Sequence, residues 1–533
     1  MNDVPRVHRN DWSRIPVPDL SSWRPTLTVS VVIPAYASQE KLDLTLASLS
    51  RQTYPGDLLD VVVVDDGSEP ALRLPHARPE RTRIIRPKTG WGRANALHTG
   101  AAESTGQILH WLDSDMLVFP DHVAAQARWH HAVPYAVTLG YKRFVEQPAW
   151  PSPEAVVKAW ESGAAGDLFA GREGEPHDYV EEYIARTDQL RAADHLAFMI
   201  HVGATAALRR ELYEAAGGFD PLLRLGEDTE FGYRLAQAGA LFVPEPGARS
   251  WHLGASHVMR QVDDVRRYNR PFLADRMPYP RWLRKTGGAG AVPLVEVVTE
   301  VGDEPFERVR AAVDAVLRAD ERDVRVTLVG PWDKLHDDRV KVLADPLLDL
   351  RLTAEAYRTD PRVRLVTEAP TDAFPAAYLL ELPITHGLSR QALRRMVDLA
   401  DREQVGVVRV EVAGRATVLW RTAARSRARW VDGDAENADA EKAATETAVA
   451  EMYGRRDVDP AVVGVVDLGA FPPAQLAAGI GDLGDPGLRP GQWVPASVEV
   501  AGIRSLGRAT VVVAALMGRR LATRLKGMRG RRT

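Results

Sequence analysis

Two carboxylates, Asp113 and Asp115, stand one residue apart after the mainly apolar run 107–112. We expect this run to be a buried strand, and two carboxylates at its end are costly unless a cation lies there. The carboxyl edge of an open α/β sheet is where ligands bind. Oxygen ligands of this kind suit Mg²⁺ or Mn²⁺ in contact with phosphate oxygens. The pattern therefore predicts a divalent metal site that also binds a diphosphate.

Another polar strand end is predicted at the same edge of the sheet. The β-branched run 28–33 leads into Pro34, and the apolar run 59–64 leads into Asp65 and Asp66. A helical pattern separates the two runs, and strand, helix and strand at this spacing are typical of a parallel βαβ unit. The two strand ends should therefore converge on the metal site, where a carboxylate can accept the N–H of a pyrimidine base.

A glycine-rich turn completes the predicted nucleotide site. Residues 89–95 should open a helix, where Gly90 allows close backbone approach and Arg93 offers a guanidinium to phosphate. The sequence contains neither a P-loop nor a complete dinucleotide fingerprint. The residues predicted to contact the nucleotide are Pro34, Ala35, Tyr36, Asp65, Asp66, Gly90, Arg93, Asp113 and Ser114.

Composition excludes several classes of function. The chain has 533 residues and a formal net charge of −4, so the basic face of a nucleic-acid binder is not expected. It has no cysteine, which excludes disulfides, zinc–thiolate sites, iron–sulfur clusters and cysteine nucleophiles. The polar first twenty residues and the lack of a long apolar run predict neither a signal peptide nor a membrane span. We therefore expect a cytoplasmic protein.

Five motifs stand in a fixed order between residues 28 and 255. They are Val31-Val32-Ile33-Pro34-Ala35-Tyr36, Val63-Val64-Asp65-Asp66-Gly67-Ser68, Asp113-Ser114-Asp115, Gly217-Gly218-Phe219-Asp220 and Gly226-Glu227-Asp228. The set resembles family 2 glycosyltransferases of the GT-A fold. The resemblance implies a Rossmann-like α/β domain that transfers a sugar from a nucleotide diphosphate sugar, usually a UDP-sugar, to an acceptor hydroxyl with inversion at the anomeric carbon.

The resemblance also implies roles for individual residues. The uracil-binding aspartate of the family falls on Asp66, and the ligands of Mn²⁺ or Mg²⁺ fall on Asp113 and Asp115. The general base falls on Asp228 at a predicted helix start, where Glu227 would orient the acceptor. The alternative is that Glu227 and Asp228 have no catalytic role and are acidic residues of the kind that is common in the first turn of a helix.

His252 is the candidate for a third metal ligand. The stretch 217–252 also resembles the region of polypeptide N-acetylgalactosaminyltransferase-like enzymes that ends in a metal-binding histidine. This implies that His252 binds the metal or contacts the diphosphate. Since those relatives retain the anomeric configuration, retention stays as an alternative to inversion.

The chain is predicted to contain a second, weaker copy of the first domain. Residues 292–330 repeat the element order of 29–67, and Glu381-Leu382-Pro383 should replace the metal-binding carboxylates, so this copy should lack metal chemistry. Convergent α/β patterning is the alternative to duplication. The predicted parts are an N-terminal arm (1–27), a catalytic GT-A domain (28–285), a degenerate GT-A-like domain (291–470) and a C-terminal extension with a basic tail (471–533).

The expected partners are a nucleotide-sugar donor and a carbohydrate, lipid-linked or other hydroxyl acceptor. The basic tail is predicted either to touch the inner face of a membrane peripherally or to pack on the domain. A homo-oligomer is compatible with the sequence. Two alternative functions are compatible with the sequence: a nucleotidylyltransferase, which attacks the α-phosphate, and a non-catalytic sugar-nucleotide-binding or scaffold protein.

Overall fold

The β-branched runs of the sequence form the inner strands of two sheets, because strands covered on both faces read as continuous apolar segments. The computed structural model describes residues 4–169, 174–255, 260–284, 290–432 and 438–477. Within these residues the chain forms two α/β units. An apolar cluster continuous between them includes Tyr233 and Leu235 of the first unit and Val295 and Tyr378 of the second.

The first unit is built on an eight-stranded sheet. In the described residues its strands are β1 (Val29–Ala35), β2 (Leu59–Asp65), β3 (Thr82–Ile85), β4 (Ile108–Leu112), β5 (Met116–Val118), β6 (Ala136–Val145), β7 (Thr205–Arg209) and β8 (Leu241–Leu253). Its α-helices there are α1 (Gln39–Leu49), α2 (Arg93–Ala102), α3 (His122–Ala132), α4 (Pro153–Glu161), α5 (Asp178–Arg186), α6 (Arg210–Ala215), α7 (Glu227–Gln237) and α8 (Val262–Arg276). Its 3₁₀ turns there are Trp12–Arg14, Gly56–Leu58, Ala165–Asp167, Ala197–Ile200 and Arg281–Leu283.

The second unit is built on a seven-stranded sheet and a two-stranded sheet. In the described residues its strands are β9 (Val295–Glu300), β10 (Val324–Val329), β11 (Val363–Val366), β12 (Tyr378–Glu381), β13 (His386–Leu388), β14 (Val407–Val412), β15 (Arg415–Arg421), β16 (Arg455–Asp457) and β17 (Val465–Asp467). Its α-helices there are α9 (Phe306–Leu317), α10 (Leu348–Tyr357), α11 (Ala392–Glu403), α12 (Thr422–Asp432), α13 (Ala438–Tyr453), α14 (Pro460–Val463) and α15 (Pro473–Ala477). Its 3₁₀ turns there are Trp332–Lys334, Val342–Ala344 and Leu468–Ala470.

The two large sheets correspond over seven strand positions, and β5 adds an eighth strand to the first sheet. The strand order is β3-β2-β1-β4-β7-β6-β8-β5 in the first unit and β11-β10-β9-β12-β15-β14-β16 in the second. Val29 lies opposite Ile108 in the parallel pair β1–β4, and Val295 lies opposite Tyr378 in the parallel pair β9–β12. Both the order and the register support the predicted repeat.

The register corrects one detail of that prediction. Five residues beyond the paired starts of β4 and β12, Pro383 takes the position of Asp113, and Thr385 takes that of Asp115. The predicted equivalence, which began at Glu381, is wrong by two residues because β12 continues through Glu381. Both strands are mainly apolar, so neither shows a clear alternation from which to read the register.

The strand that follows this position repeats as well. Met116 of β5 lies opposite His252 of β8, and His386 of β13 lies opposite Asp467 of β17. Both pairs are antiparallel. Asp467 therefore takes the position of His252 in the second unit.

The N-terminal arm lies across both units. The Asn10 amide donates hydrogen bonds to the carbonyl oxygens of Leu190 and Phe242, at 2.9 and 2.8 Å. The Arg9 N–H donates to the carbonyl oxygen of Met452 in the second unit, at 2.8 Å. A segment predicted only as a polar arm is therefore part of the junction between the units.

A buried polar cluster also joins the units around Asp401 of α11. Its carboxylate accepts hydrogen bonds from the hydroxyls of Tyr279, at 2.5 Å, and Tyr378, and from Arg421 at 3.2 Å. The His195 ring lies 3.8 Å away. Burial acts to raise the pKa of Asp401, but the neighbouring cations and hydroxyls outweigh it and lower the pKa.

Some predictions fall outside the described residues. The predicted boundary near residue 285 lies in 285–289, and the basic tail lies in 478–533. The domain limits and the membrane contact of the tail therefore stay predictions. Among the described residues, no helix combines the length and apolar character needed to cross a membrane.

Candidate active site

The loop between β4 and β5 is held on three sides. The Asp113 N–H donates to a carbonyl oxygen just before β7 at 3.1 Å, and the Leu253 N–H of β8 donates to the Asp115 carbonyl at 2.9 Å. The Thr45 hydroxyl of α1 donates to the Ser114 carbonyl at 3.0 Å. The backbone that carries the two carboxylates is therefore fixed before any ligand binds.

Asp113, Asp115 and His252 form a candidate metal site. One ligand atom from each lies within 4.8 Å of the other two. His252 Nδ1 contacts the Gly254 carbonyl at 2.9 Å, and because a carbonyl only accepts, Nδ1 carries the proton. In the neutral form of the ring Nε2 has the free lone pair, and this atom lies 3.5 Å from Asp115 Oδ1. Two acceptors that face each other fit a cation between them, and two carboxylates with an imidazole are suitable ligands for Mn²⁺.

A lysine of α1 contacts the same site. Lys41 Nζ lies 3.4 Å from Asp115 Oδ2 and donates to the Leu253 carbonyl at 2.5 Å. The ammonium also lies 5.8 Å from the centre of the Trp150 ring. It offsets part of the negative charge of the carboxylates from the side of α1.

Arg93 links the metal site to the second acidic motif. Its guanidinium contacts Asp113 Oδ1 at 2.8 and 3.0 Å, Glu227 Oε1 at 2.6 Å and the Gly203 carbonyl at 2.6 Å. Burial raises the pKa of Glu227, and the Arg93 charge opposes that rise. The structure therefore places Arg93 against carboxylates, whereas the sequence predicted a phosphate contact.

Asp228 is positioned by backbone groups at the start of α7. Gly226, just before the helix, has φ of 77°, a left-handed conformation that glycine adopts without strain. Asp228 Oδ1 accepts the Thr229 N–H at 2.7 Å, and Oδ2 faces the Gly203 N–H at 3.4 Å. His201 Nδ1 donates to the Asp228 carbonyl at 2.8 Å. The carboxylate is partly exposed and its orientation is fixed.

The adjacent aspartates Asp65 and Asp66 have different surroundings. Asp65 is buried and accepts hydrogen bonds from the Ser68 N–H at 2.8 Å, the Leu72 N–H at 3.2 Å and the Arg86 guanidinium at 2.7 Å. Burial acts to raise the pKa of Asp65, but these hydrogen bonds outweigh it and lower the pKa. Asp65 therefore holds the loop after β2, which leaves Asp66 as the more available of the pair.

Asp66 faces the turn that opens α2. Its Oδ2 accepts the Gly92 N–H at 2.7 Å, and its N–H donates to the Ala35 carbonyl at 2.9 Å. Burial raises the pKa of Asp66. Pro34 and Ala35 are the last residues of β1, and the Tyr36 side chain that follows is 67% exposed. The structure therefore brings the predicted nucleoside contacts together at one edge of the sheet.

The glycine-rich turn is shaped by close packing. Gly90 has φ of 75°, and a Cβ there would lie 2.9 Å from Asn95 Oδ1. Asn95 in turn donates to the Thr89 carbonyl at 3.0 Å. Trp91 is exposed, and the Arg224 guanidinium lies 4.6 Å from the centre of its ring. The sequence did not identify Arg224, because the loop before α7 gives no periodic signal.

Sequence reasoning also missed Lys41 and Lys142. Lys41 stands among polar residues at the start of α1, where nothing marks it as unusual. Lys142 is buried inside strand β6, and only the structure shows that burial. Lysine is almost never fully buried without a partner.

A family model identifies this part of the chain. Residues 30–217 match the model described as "Glycosyl transferase family 2". These residues, about a third of the chain, are therefore similar to glycosyl transferase family 2. The match covers β1 to α6, including the loop that carries Asp113 and Asp115. The predicted resemblance to the family and the predicted α/β fold with a second α/β domain are thereby confirmed.

Named relatives of the family 2 region are glycosyltransferases. "Validoxylamine A glucosyltransferase" of Streptomyces hygroscopicus subsp. limoneus is 30% identical over 263 residues, which is 48% of this chain and 56% of that protein. "Chondroitin synthase" of Escherichia coli is 24% identical over 358 residues, 64% of this chain and 50% of that protein. The chain thus spans about half the length of these curated relatives.

Solved structures resemble the chain more distantly. The crystal structure of GalNAc-T7 with UDP, GalNAc and Mn²⁺ is 19% identical, with a TM-score of 0.32, and the match covers 44% of this chain and 45% of that one. The roles of the individual residues in the family 2 region stay predictions.

Proposed function

We propose that this protein transfers a sugar from a nucleotide diphosphate sugar to an acceptor hydroxyl, with UDP as the nucleotide and inversion at the anomeric carbon. The observation that carries the proposal is the grouping of Asp113, Asp115 and His252 within 4.8 Å. Arg93 connects this group to the motif that contains Asp228. The named glycosyltransferase relatives support the same reaction class.

Asp113, Asp115 and His252 would hold the metal ion. The bound ion would supply positive charge to the diphosphate as it leaves. Because one of the three groups is an imidazole, we propose Mn²⁺ in preference to Mg²⁺, which favours oxygen ligands. The fixed backbone of the loop keeps both carboxylates oriented before the ion arrives.

Asp228 would act as the general base. As the acceptor oxygen bonds to the anomeric carbon and the bond to the diphosphate oxygen breaks, the acceptor hydroxyl must lose its proton. The N–H groups of Thr229 and Gly203 orient the Asp228 carboxylate for that proton. A single displacement of this kind inverts the anomeric carbon.

Asp66 and the end of β1 would bind the nucleoside. The Asp66 carboxylate is a suitable acceptor for a uracil N–H, and Tyr36 presents an exposed aromatic side chain beside it. Asp65, with its hydrogen bonds already made within the loop, would keep Asp66 in position.

A thermal-shift panel tests the proposal. UDP, GDP and ADP would each be added with Mn²⁺, with Mg²⁺ and with EDTA. Ligand at about 100 Kd adds roughly 2.7 kcal/mol to the free energy of unfolding, so UDP with Mn²⁺ should raise the Tm measurably. Failure of every nucleotide and metal pair to raise the Tm would contradict the proposal. For the stereochemistry, NMR of the product should show the anomeric configuration opposite to that of the donor.

A further inference from the structure

Lys142 is a buried cation beside the candidate metal site. It lies in β6 opposite Ser250 of β8, and it is 5% exposed. Its ammonium lies 5.9 Å from the centre of the Phe144 ring, and that ring packs 4.7 Å from the ring of His252. The lysine therefore reaches the same end of the sheet as the metal ligands.

The charges around Lys142 belong to the site. The carboxylates of Asp113 and Asp228 are its strongest electrostatic partners, yet burial outweighs them and lowers the pKa of Lys142 to about 8. Among the described residues, no carboxylate lies within 4.0 Å of its Nζ and no hydrogen bond joins the ammonium to an acceptor. A lysine ammonium has three donors, and the Lys142 Nζ keeps only a small contact with solvent, through which an anionic ligand can approach it.

The neighbouring arginine shows what a satisfied cation looks like in this site. Arg93 is also desolvated, but its guanidinium has two carboxylates and a carbonyl as acceptors. Lys142 interacts electrostatically with Asp113 and Asp228 but makes no direct contact with either carboxylate. A ligand that supplies an anionic oxygen would explain why this largely buried cation has no direct acceptor within the protein.

We propose, on the basis of the function proposed above, that the Lys142 ammonium pairs with an anionic oxygen of the bound ligand. Two groups offer this chemistry in the proposed reaction: the terminal phosphate of the nucleoside diphosphate and a carboxylate on a sugar. Lys142 is thus a ligand-binding residue that selects for negative charge in addition to the charge bound by the metal.

The test is calorimetric titration of the full chain with four probes in the presence of Mn²⁺. The probes are UMP, UDP, UDP-glucose and UDP-glucuronic acid, and the proteins are the wild type, Lys142→Met and the control Lys158→Met. Lys158 is an exposed lysine of α4 with the same change of charge. Loss of one charge-assisted hydrogen bond should weaken binding by roughly 10- to 100-fold in Lys142→Met only.

The pattern across the probes identifies the anion. Weaker binding of UDP with UMP unchanged assigns the pairing to the terminal phosphate. Weaker binding of UDP-glucuronic acid alone assigns it to a sugar carboxylate. Unchanged affinities for all four probes in Lys142→Met overturn the inference, while the proposed function stands as long as the wild type binds UDP. If the wild type binds none of the probes, the proposed function itself fails.

Thermal unfolding separates this role from a structural one. Because methionine replaces an unpaired charge with an apolar side chain of similar length, Lys142→Met should unfold at the same or a higher temperature than the wild type. A marked fall in Tm would show that the lysine stabilises the fold, and it would overturn the inference.

Discussion

The two units share a strand order and differ in what stands at the end of the equivalent strands. In the first unit Asp113, Asp115 and His252 meet there, and in the second the same positions hold Pro383, Thr385 and Asp467. The sheet therefore forms with or without the acidic group. The fold does not need the carboxylates of the first unit. Because neighbouring carboxylates repel each other, a cationic ligand that offsets this repulsion explains their presence better than a structural role does.

The second unit uses its charged groups differently. Asp401 is surrounded by two tyrosine hydroxyls, an arginine and a histidine, so its charge is neutralised within the protein. In the first unit the Asp115 carboxylate lies near one histidine nitrogen and one lysine ammonium, and it stays partly exposed. The contrast separates a carboxylate that holds two units together from one that is available to a ligand.

The largest expected effect is on metal binding. Asp115→Ala should abolish stabilisation by UDP and Mn²⁺ because it removes one of three grouped ligands. Thr385→Ala, at the equivalent position of the second unit, is the matched control and should leave the Mn²⁺-dependent rise in Tm unchanged. The comparison between the units breaks down if Thr385→Ala weakens that response as much as Asp115→Ala does.

The next largest effect is on catalysis. Asp228→Asn keeps the shape of the side chain but removes the base, so kcat should fall by roughly 10²–10⁴-fold. The Kd for UDP with Mn²⁺ should stay within about threefold, since the Asp228 carboxylate accepts hydrogen bonds from Gly203 and Thr229, neither of which is a predicted donor-binding residue. Near-normal turnover by Asp228→Asn would show that the base is another group.

The third effect is on stability alone. Asp401→Ala leaves Arg421 without its counter-charge and two tyrosine hydroxyls without an acceptor, so we expect a loss of about 3–5 kcal/mol in urea unfolding. UDP binding by the folded protein should not change. Asp398→Ala, on the exposed face of the same helix, should cost less than about 0.5 kcal/mol. An equal loss of unfolding free energy in Asp401→Ala and Asp398→Ala would contradict the structural role assigned to Asp401.

The smallest effect concerns pH and Lys142. The folded pKa of about 8 lies below the unfolded value of 10.5, so the unfolded chain binds more protons between these pH values. The free energy of unfolding of the wild type should therefore rise relative to Lys142→Met as the pH rises from 8 to 10.5, by roughly 1–3 kcal/mol. The charged or titratable groups that act on Lys142 are Asp113, Asp228, Arg93, Glu181 and His177.

Urea titrations at pH 7.5 and 9.5 measure this difference. The wild type and Lys142→Met share every tyrosine and every other lysine, so the titration of those groups cancels in the comparison. A stability difference that does not change between the two pH values would show that Lys142 is not desolvated in the folded protein.

Short, distinctive motifs allowed much of the site to be predicted. The strand ends at Ala35 and Asp65 and the Asp113–Asp115 loop lie at one edge because parallel strands impose it. His252 reaches the same edge through the antiparallel pairing of β5 and β8, which spacing along the chain could not reveal. Its position depended on the resemblance to a known family.

Contacts between distant segments could not be predicted. Arg93 was expected to contact phosphate because a guanidinium beside a glycine-rich turn commonly does so. In the structure its guanidinium instead donates to the carboxylate of Glu227, 134 residues later. The register of β12 was misread because mainly apolar strands show no clear alternation. Asn10 gave no signal, since a polar residue in a proline-containing arm has no periodic context.

The arm imposes an order on assembly during synthesis. Asn10 can dock once Leu190 and Phe242 are in place, because these partners belong to the first unit. Arg9 must wait until residue 452 has been made, since its N–H donates to the Met452 carbonyl. Arg9 therefore completes this contact long after it has been synthesised, and the junction closes only once residue 452 exists.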